Sequence, residues 1–174
     1  MRAGLRGLKD HAERLSGRHA KLNRTRVRVG ELVDELIDDF FSRERERISV
    51  ESPAQPIDAD VDEARVTLLL KNLVGNALRY STAESGPVVL SYREDGDDLV
   101  FTVSDKGPGL SDDQVGHLGE PFYRSDPSRT RDSGGTGLGL YLATLVAKAH
   151  RGTLAVIDQD LPGASFEVRL PRIA

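Results

Sequence analysis

A heptad seam opens the chain. Leu5, Leu8, Ala12, Leu15, His19 and Leu22 recur at alternating spacings of three and four, with Arg, Lys and Glu between them. A helix of this kind cannot bury its stripe alone. The simplest partner is a second copy, which makes residues 5–22 a homodimer contact. Arg26-Val-Arg-Val29 breaks the period, and after Gly30 the positions Leu32, Val33, Leu36, Ile37, Phe40 and Phe41 predict a helix over 30–46. Ile48-Ser-Val50 reads as a short strand and the Pro53/Pro56 stretch as a turn. Asp60-Val61-Asp62-Glu63 reads as an acidic helix start, because carboxylates complement the positive end of the helix dipole. The helix over 62–80 then carries Val66, Leu69, Leu70, Leu73, Val74 and Ala77 on its apolar side. After a loop over 81–86, the β-rich runs 88–92 and 99–103 join through Asp95-Gly96-Asp97 as a hairpin. Residues 105–137 are irregular apart from a short helix near 111–118. A further helix over 138–150 and strands near 153–158 and 164–170 close the chain.

Composition narrows the class. At 174 residues, with 38% hydrophobic and 30% charged positions, the chain suits one globular domain with a short appendage. The absence of Cys excludes a disulfide scaffold, thiolate zinc sites and cysteine nucleophiles. No window approaches the apolar length of a membrane span, so a cytoplasmic protein without direct membrane contact is expected. The net charge of −4 conceals an asymmetry, +7 over residues 1–30 and −11 over the rest. That basic arm holds no aromatic residue to stack a base, so it reads as solvated helix charge and no nucleic-acid partner is expected.

Three groups of residues carry candidate chemistry. Asn72, Asn76, Arg79 and Tyr80 share one face of the helix over 62–80, where two amides are costly unless something polar pairs with them. Taken alone they also fit a structural role, capping neighbouring strands. Asp105-Lys-Gly-Pro-Gly109 follows a β-run, and its glycines let the backbone turn sharply beside a ligand; alone it also reads as an ordinary turn. Gly134-Gly-Thr-Gly-Leu-Gly139 leads into a helix whose free N–H groups suit phosphate. No Gly-Lys dipeptide and no G-x-G-x-x-G spacing exists, which removes the P-loop and the dinucleotide fingerprint. Between the second and third groups, Glu120-Pro-Phe-Tyr-Arg124 and the segment to Ser133, with Arg129 and Arg131, read as a lid over phosphates or as a solvated loop.

In this order and spacing, the segments resemble the catalytic ATP-binding domain of sensor histidine kinases, within the GHKL ATPase superfamily. Asn72-Leu-Val-Gly-Asn76-Ala-Leu-Arg-Tyr80 is similar to the N box and Asp105-Lys-Gly-Pro-Gly109 to the G1 box. Glu120-Pro-Phe122-Tyr-Arg124 is similar to the F box and Gly135-Thr-Gly-Leu-Gly139 to the G2 box. The resemblance implies an α+β fold: a two-layer α/β sandwich with a mixed sheet of about five strands, three main helices on one face and an N-terminal helix ahead of it. It implies that Asp105 accepts the adenine amino group while Gly107 and Gly109 make room, and that Tyr80 packs near the purine. Asn76 is implied as the Mg²⁺ ligand, and Arg79, where Lys is more frequent, as a phosphate contact. Arg124 is implied at the γ-phosphate, with Phe122 from the same box, and Gly135, Thr136, Gly137, Leu138 and Gly139 around the triphosphate. ATP and Mg²⁺ are the implied cofactors.

In the hydrolysing branches of the superfamily a Glu precedes the magnesium Asn by four residues and activates water. Here Asn72 stands there, and an amide cannot take that proton, which implies transfer to an external histidine, with Asn72 and Arg124 at the catalytic positions. A phosphoacceptor box is not recognisable: His11-Ala-Glu-Arg lacks the acidic neighbour, and His19 lies on the seam as a core histidine would. The resemblance therefore divides the chain into residues 1–25, the end of a dimerisation hairpin, and 26–174, the ATP-binding domain. The implied partners are phosphoacceptor helices elsewhere and a response-regulator receiver domain, in the cytoplasmic part of a membrane-anchored sensor. A regulatory ATP-binding module without phosphotransfer and an anti-sigma-type serine kinase are the alternatives.

Overall fold

The computed structural model describes residues 21–117, 120, 138–157 and 163–172. Of the seam over 5–22, only Lys21 and Leu22 are described, and neither is helical. The residues that follow are tied to the domain: Asn23 donates its backbone N–H to Asp62 Oδ2 at 3.0 Å and Arg24 donates to the Asp60 carbonyl at 2.9 Å. Thr25, assigned above to the N-terminal helix, already belongs to β1 (Thr25–Arg28).

The β1 strand pairs antiparallel with β3 (Asp58–Val61) as a separate two-stranded sheet. Asp60 therefore lies in a strand, and the acidic helix start shrinks to Asp62 and Glu63. Asp62 is the N-cap, its Oδ1 accepting the Arg65 N–H at 3.2 Å. Between these strands, α1 (Val29–Phe40) buries Val29, Leu32, Val33, Leu36 and Ile37. It ends six residues before the predicted boundary at 46, because Phe41 completes the stripe and Ser42 to Glu46 offers nothing apolar to bury. A single helical turn over Arg45–Arg47 leads into β2 (Ile48–Glu51).

The long helix α2 (Glu63–Tyr80) buries Val66, Leu69, Leu70, Leu73, Val74, Ala77 and Leu78. It is followed by the hairpin β4 (Val88–Asp95) and β5 (Asp98–Ser104), whose register pairs Asp95 with Asp98 across a tight turn at Gly96, φ +61°. A short α3 (Asp112–Gly116) precedes α4 (Gly139–Ala149), β6 (Thr153–Ile157) and β7 (Ser165–Pro171). The main sheet runs β2-β4-β5-β7-β6, with β2 parallel to β4 and every other pair antiparallel. This is the expected mixed five-stranded sheet, with α1, α2 and α4 packed on one face.

Strand alternation decides which face is covered. Leu90, Val103, Phe166 and Val156 stand in one cross-strand row and Tyr92, Phe101, Val168 and Leu154 in the next, all turned to the helices. The intervening positions are largely polar, and Arg93–Glu167 at 3.4 Å and Arg169–Asp98 at 3.3 Å lie across the other face. One buried polar bridge fastens the helices together. His150, fully buried after α4, accepts the Asp62 N–H at Nε2 (3.1 Å) and faces the Val146 carbonyl through Nδ1 (2.9 Å). Because a backbone N–H can only donate, Nε2 is unprotonated and Nδ1 carries the proton. No helix among the described residues is long and apolar enough to cross a membrane.

Candidate nucleotide site

The apolar stripe of α2 turns Leu69, Leu73 and Ala77 into the core and leaves Asn72 and Asn76 half-buried along its border. Arg79 and Tyr80, one turn on, are exposed. The shared face expected for the four residues therefore runs from the flank of the helix to its open end. Asn72 donates Nδ2 to the Leu68 carbonyl at 2.8 Å, so its amide is turned back on its own helix. Its Oδ1 lies against the first residue of α4: a β-carbon on Gly139 would stand 2.8 Å from that oxygen. Asn76 makes no hydrogen bond among the described residues, which leaves a half-buried amide oxygen available to a ligand.

The end of β5 brings Asp105 to the open end of α2. Its side chain is buried, 7% exposed, and Oδ1 accepts the Gly107 N–H at 2.7 Å. The second carboxylate oxygen has no hydrogen bond among the described residues. Burial pushes the carboxyl above the ordinary aspartate value, with the backbone at Gly107 and Ala164 pulling the other way. A desolvated carboxylate with one oxygen engaged and one vacant is a strong acceptor for an exocyclic amine.

Close backbone contacts hold this carboxylate. A β-carbon on Gly107 would lie 2.6 Å from the Tyr80 carbonyl oxygen and 2.8 Å from Asp105 Oδ1, so only glycine fits. Gly109, at φ +75°, rests against the Gly163 carbonyl, where a β-carbon would stand 3.0 Å away. Gly163, just before β7, lies in turn against the Asp105 carbonyl, and the Asp105 N–H donates to the Ala164 carbonyl at 2.9 Å. Gly163 was not among the residues picked out from the sequence, although Pro162-Gly163 ahead of a β-run is a turn signal.

The structure thus brings together Tyr80, Asp105, Gly107 and Gly109 at one end of α2, and Asn72 with Gly139 further along the same helix. Leu138 is buried beside Gly139 at the start of α4. Phe122, Arg124, Arg129, Arg131, Gly135, Thr136 and Gly137 lie outside the described residues. Among the described residues no cluster of three or more His, Cys, Asp or Glu could hold a metal ion. Asn76, the proposed Mg²⁺ ligand, would therefore act with phosphate oxygens and water rather than with a carboxylate cage, an arrangement that suits this ion.

Residues 61–174 match the family described as histidine kinase-, DNA gyrase B- and HSP90-like ATPase. Sensor histidine kinase MtrB of Mycobacterium tuberculosis is 40% identical over 124 residues, covering 71% of this chain and 22% of its own length. Sensor histidine kinase CpxA of Escherichia coli is 33% identical over 148 residues, covering 83% of this chain and 32% of its own. The chain therefore spans between a fifth and a third of these relatives. Full-length ShkA in complex with AMPPNP superposes with a TM-score of 0.78 at 27% identity, over 94% of this chain and 34% of that one. The mycobacterial sensor histidine kinase MprB shares the fold, with a TM-score of 0.67 at 24% identity over 86% of this chain and 97% of that one. The chain belongs to the histidine kinase-, DNA gyrase B- and HSP90-like ATPase family, and its relatives within that family are sensor histidine kinases.

Proposed function

We propose that this chain is the catalytic part of a sensor histidine kinase, which binds Mg-ATP and passes the γ-phosphoryl group to a histidine on dimerisation helices outside it. The observation that carries the reading is the Asp105 carboxylate, buried, oriented by the Gly107 N–H and vacant at its second oxygen. Such an acceptor selects adenine, whose 6-amino group donates, over guanine, whose 6-oxo group would meet the carboxylate as a second acceptor. The complex of ShkA with AMPPNP, at 27% identity, supports an ATP-type ligand.

Asn76 offers Mg²⁺ a neutral oxygen, and the ion when bound neutralises charge on the β- and γ-phosphates. Arg79 lies one turn further on, with Tyr80 beside the base. Arg124, Phe122 and the stretch from Gly135 to Gly139 complete the proposed triphosphate site. Asn72 supports transfer rather than hydrolysis. Its Nδ2 is held by the Leu68 carbonyl, and an amide oxygen cannot take a proton from water at neutral pH. What remains to the protein is positioning: the γ-phosphoryl is held in line for an imidazole supplied by another helix, and a receiver domain is the next acceptor. We assign the chain from β1 onward, residues 25–174, to this domain, the residues before it to the end of the dimerisation hairpin, and the whole to the cytoplasmic side of a membrane-anchored sensor.

The deciding experiment mixes the chain with labelled Mg-ATP and an acceptor-helix fragment from the same kinase. Acid-labile label on the fragment is expected. Binding without label would make the chain a regulatory module, and acid-stable label on serine would make it a serine kinase.

A further inference from the structure

We propose that Arg47 is a positioning residue for the nucleotide site, holding the end of α2 so that the Tyr80 carbonyl seats the Gly107 turn and aims the Asp105 carboxylate. The inference rests on the adenine reading of Asp105.

The last carbonyls of a helix have no partner within it, and a cation there also meets the negative end of the dipole. Arg47, from the single turn ahead of β2, fills that place from across the fold. Its guanidinium donates to the Leu78 carbonyl at 3.1 Å, inside the last turn, and to the Ser81 carbonyl at 3.0 Å, just past it. Both bonds come from one nitrogen, Nη2, which also lies 3.5 Å from Ser81 Oγ, so a single donor at the end of a long side chain ties the last turn to the residue after it. Ser81 is buried and adds a bond from Oγ to the Ala77 carbonyl at 2.7 Å. Between the two gripped positions lie Arg79 and Tyr80, whose exposed side chains make no hydrogen bond among the described residues; Tyr80 is 54% exposed. Beyond the helix's own bonds, Arg47 and Ser81 are what fix the Tyr80 backbone among the described residues.

That backbone has a specific task. The Tyr80 carbonyl is the surface on which Gly107 packs, and Gly107 N–H orients Asp105 Oδ1. A shift of a few tenths of an ångström at Tyr80 would pass directly to the carboxylate. Arg47 Nε is buried with no hydrogen-bond partner among the described residues, a cost to stability.

The test uses the 174-residue chain with Arg47→Met and Arg47→Lys. Affinities for ATP and GTP, the melting temperature and the Gly107 amide NMR resonance are measured for each. For Arg47→Met we expect ATP affinity to fall at least five-fold, the ATP-over-GTP preference to shrink, and the Gly107 resonance to move as its hydrogen bond lengthens. Arg47→Lys, which keeps the charge and one donor nitrogen but not the planar group that fixes its place, should recover part of each. A lower melting temperature with an unchanged ATP/GTP ratio and an unmoved Gly107 resonance would reduce Arg47 to a structural cap and overturn the proposal. Should Arg47→Met fail to fold, the same readouts on Arg47→Lys decide. A wild type that binds no ATP would sink the adenine reading instead, and the Gly107 resonance would still report whether Arg47 sets the Asp105 turn.

Discussion

The backbone of Gly163 lies so close to the Asp105 carbonyl that a β-carbon on Gly163 would overlap it. Gly163 also holds φ at +102°, a region that L side chains rarely adopt. The acceptor proposed to read the base is therefore backed by a residue that can only be glycine. Gly163→Ala should cost about 2–4 kcal/mol, from backbone strain and overpacking together. Urea unfolding measures the loss, and nucleotide affinity should fall with it. Gly75→Ala is the contrasting case. It lies inside α2 with nothing within 4 Å of its added carbon, so it should gain about 1 kcal/mol. Equal effects from the two substitutions would show that the Gly163 contact is not tight.

Asp105→Asn separates binding from stability. Asparagine keeps an oxygen for the Gly107 N–H but presents an amide where a carboxylate is required, so ATP affinity should fall at least ten-fold, about 1.4 kcal/mol. Stability should move the other way. The folded carboxyl is raised by burial, so its contribution is favourable only below the unfolded value of about 4 and is lost as pH rises through the raised one. At neutral pH the wild type bears that cost and the variant does not. Thermal melts should show the variant equal or more stable at pH 7, with the advantage gone below about pH 4. A variant that melts lower at pH 7 yet binds ATP normally would contradict both halves.

His150 is expected to make the fold sensitive to mild acid. Burial lowers its pKa, so the imidazole is neutral in the folded state and takes a proton more readily once unfolded. Its contribution is complete above the unfolded value of about 6.5 and is lost as pH falls from there toward the lowered folded one. The slope in that window reaches about 1.4 kcal/mol per pH unit. His150→Phe should remove the slope and cost about 1–3 kcal/mol at pH 7.5, because the Asp62 N–H loses its acceptor. Denaturant midpoints at pH 7.5, 6.5 and 5 check this. Parallel profiles in wild type and variant would exclude His150 as the group responsible.

Asn76 is expected to make nucleotide affinity depend on magnesium. Chelating Mg²⁺ should weaken ATP binding to the wild type, whereas Asn76→Ala should bind ATP weakly with or without the ion. Its effect on stability should stay within about 1 kcal/mol, since the amide is half-buried and makes no hydrogen bond among the described residues. Isothermal titration with and without the chelator reads both. An Asn76→Ala protein that keeps the full magnesium response would place the ligand elsewhere.

Much of this protein is local and therefore legible along the chain. The periods of α1 and α2, the β4–β5 hairpin, the alternation in β7, and the polar face carrying Asn72 and Asn76 all follow from residues within a turn or two of one another. Asp105 with its glycines also stood out, because a carboxylate at a strand end beside two glycines is a local signature. Where local pattern competed with distant contact, contact prevailed. Asp60 looks like part of a helix start but pairs with Arg26 in β1, and Leu22 looks like a seam position but is not helical, and the next residue, Asn23, bonds Asp62. Gly163 behind Asp105 carried only the mark of a turn, and Arg47 beneath α2 and His150 beneath Asp62 carried no local sign of their roles. Each acts on a partner far away in sequence, 88 residues away for His150 and Asp62, and only packing of the helices on the sheet brings the pair together. The chain's own order specified which chemical groups exist and which elements carry them. Their use was decided by tertiary structure, because burial and close backbone approach determine whether a carboxylate is a solvated charge or a reader of bases.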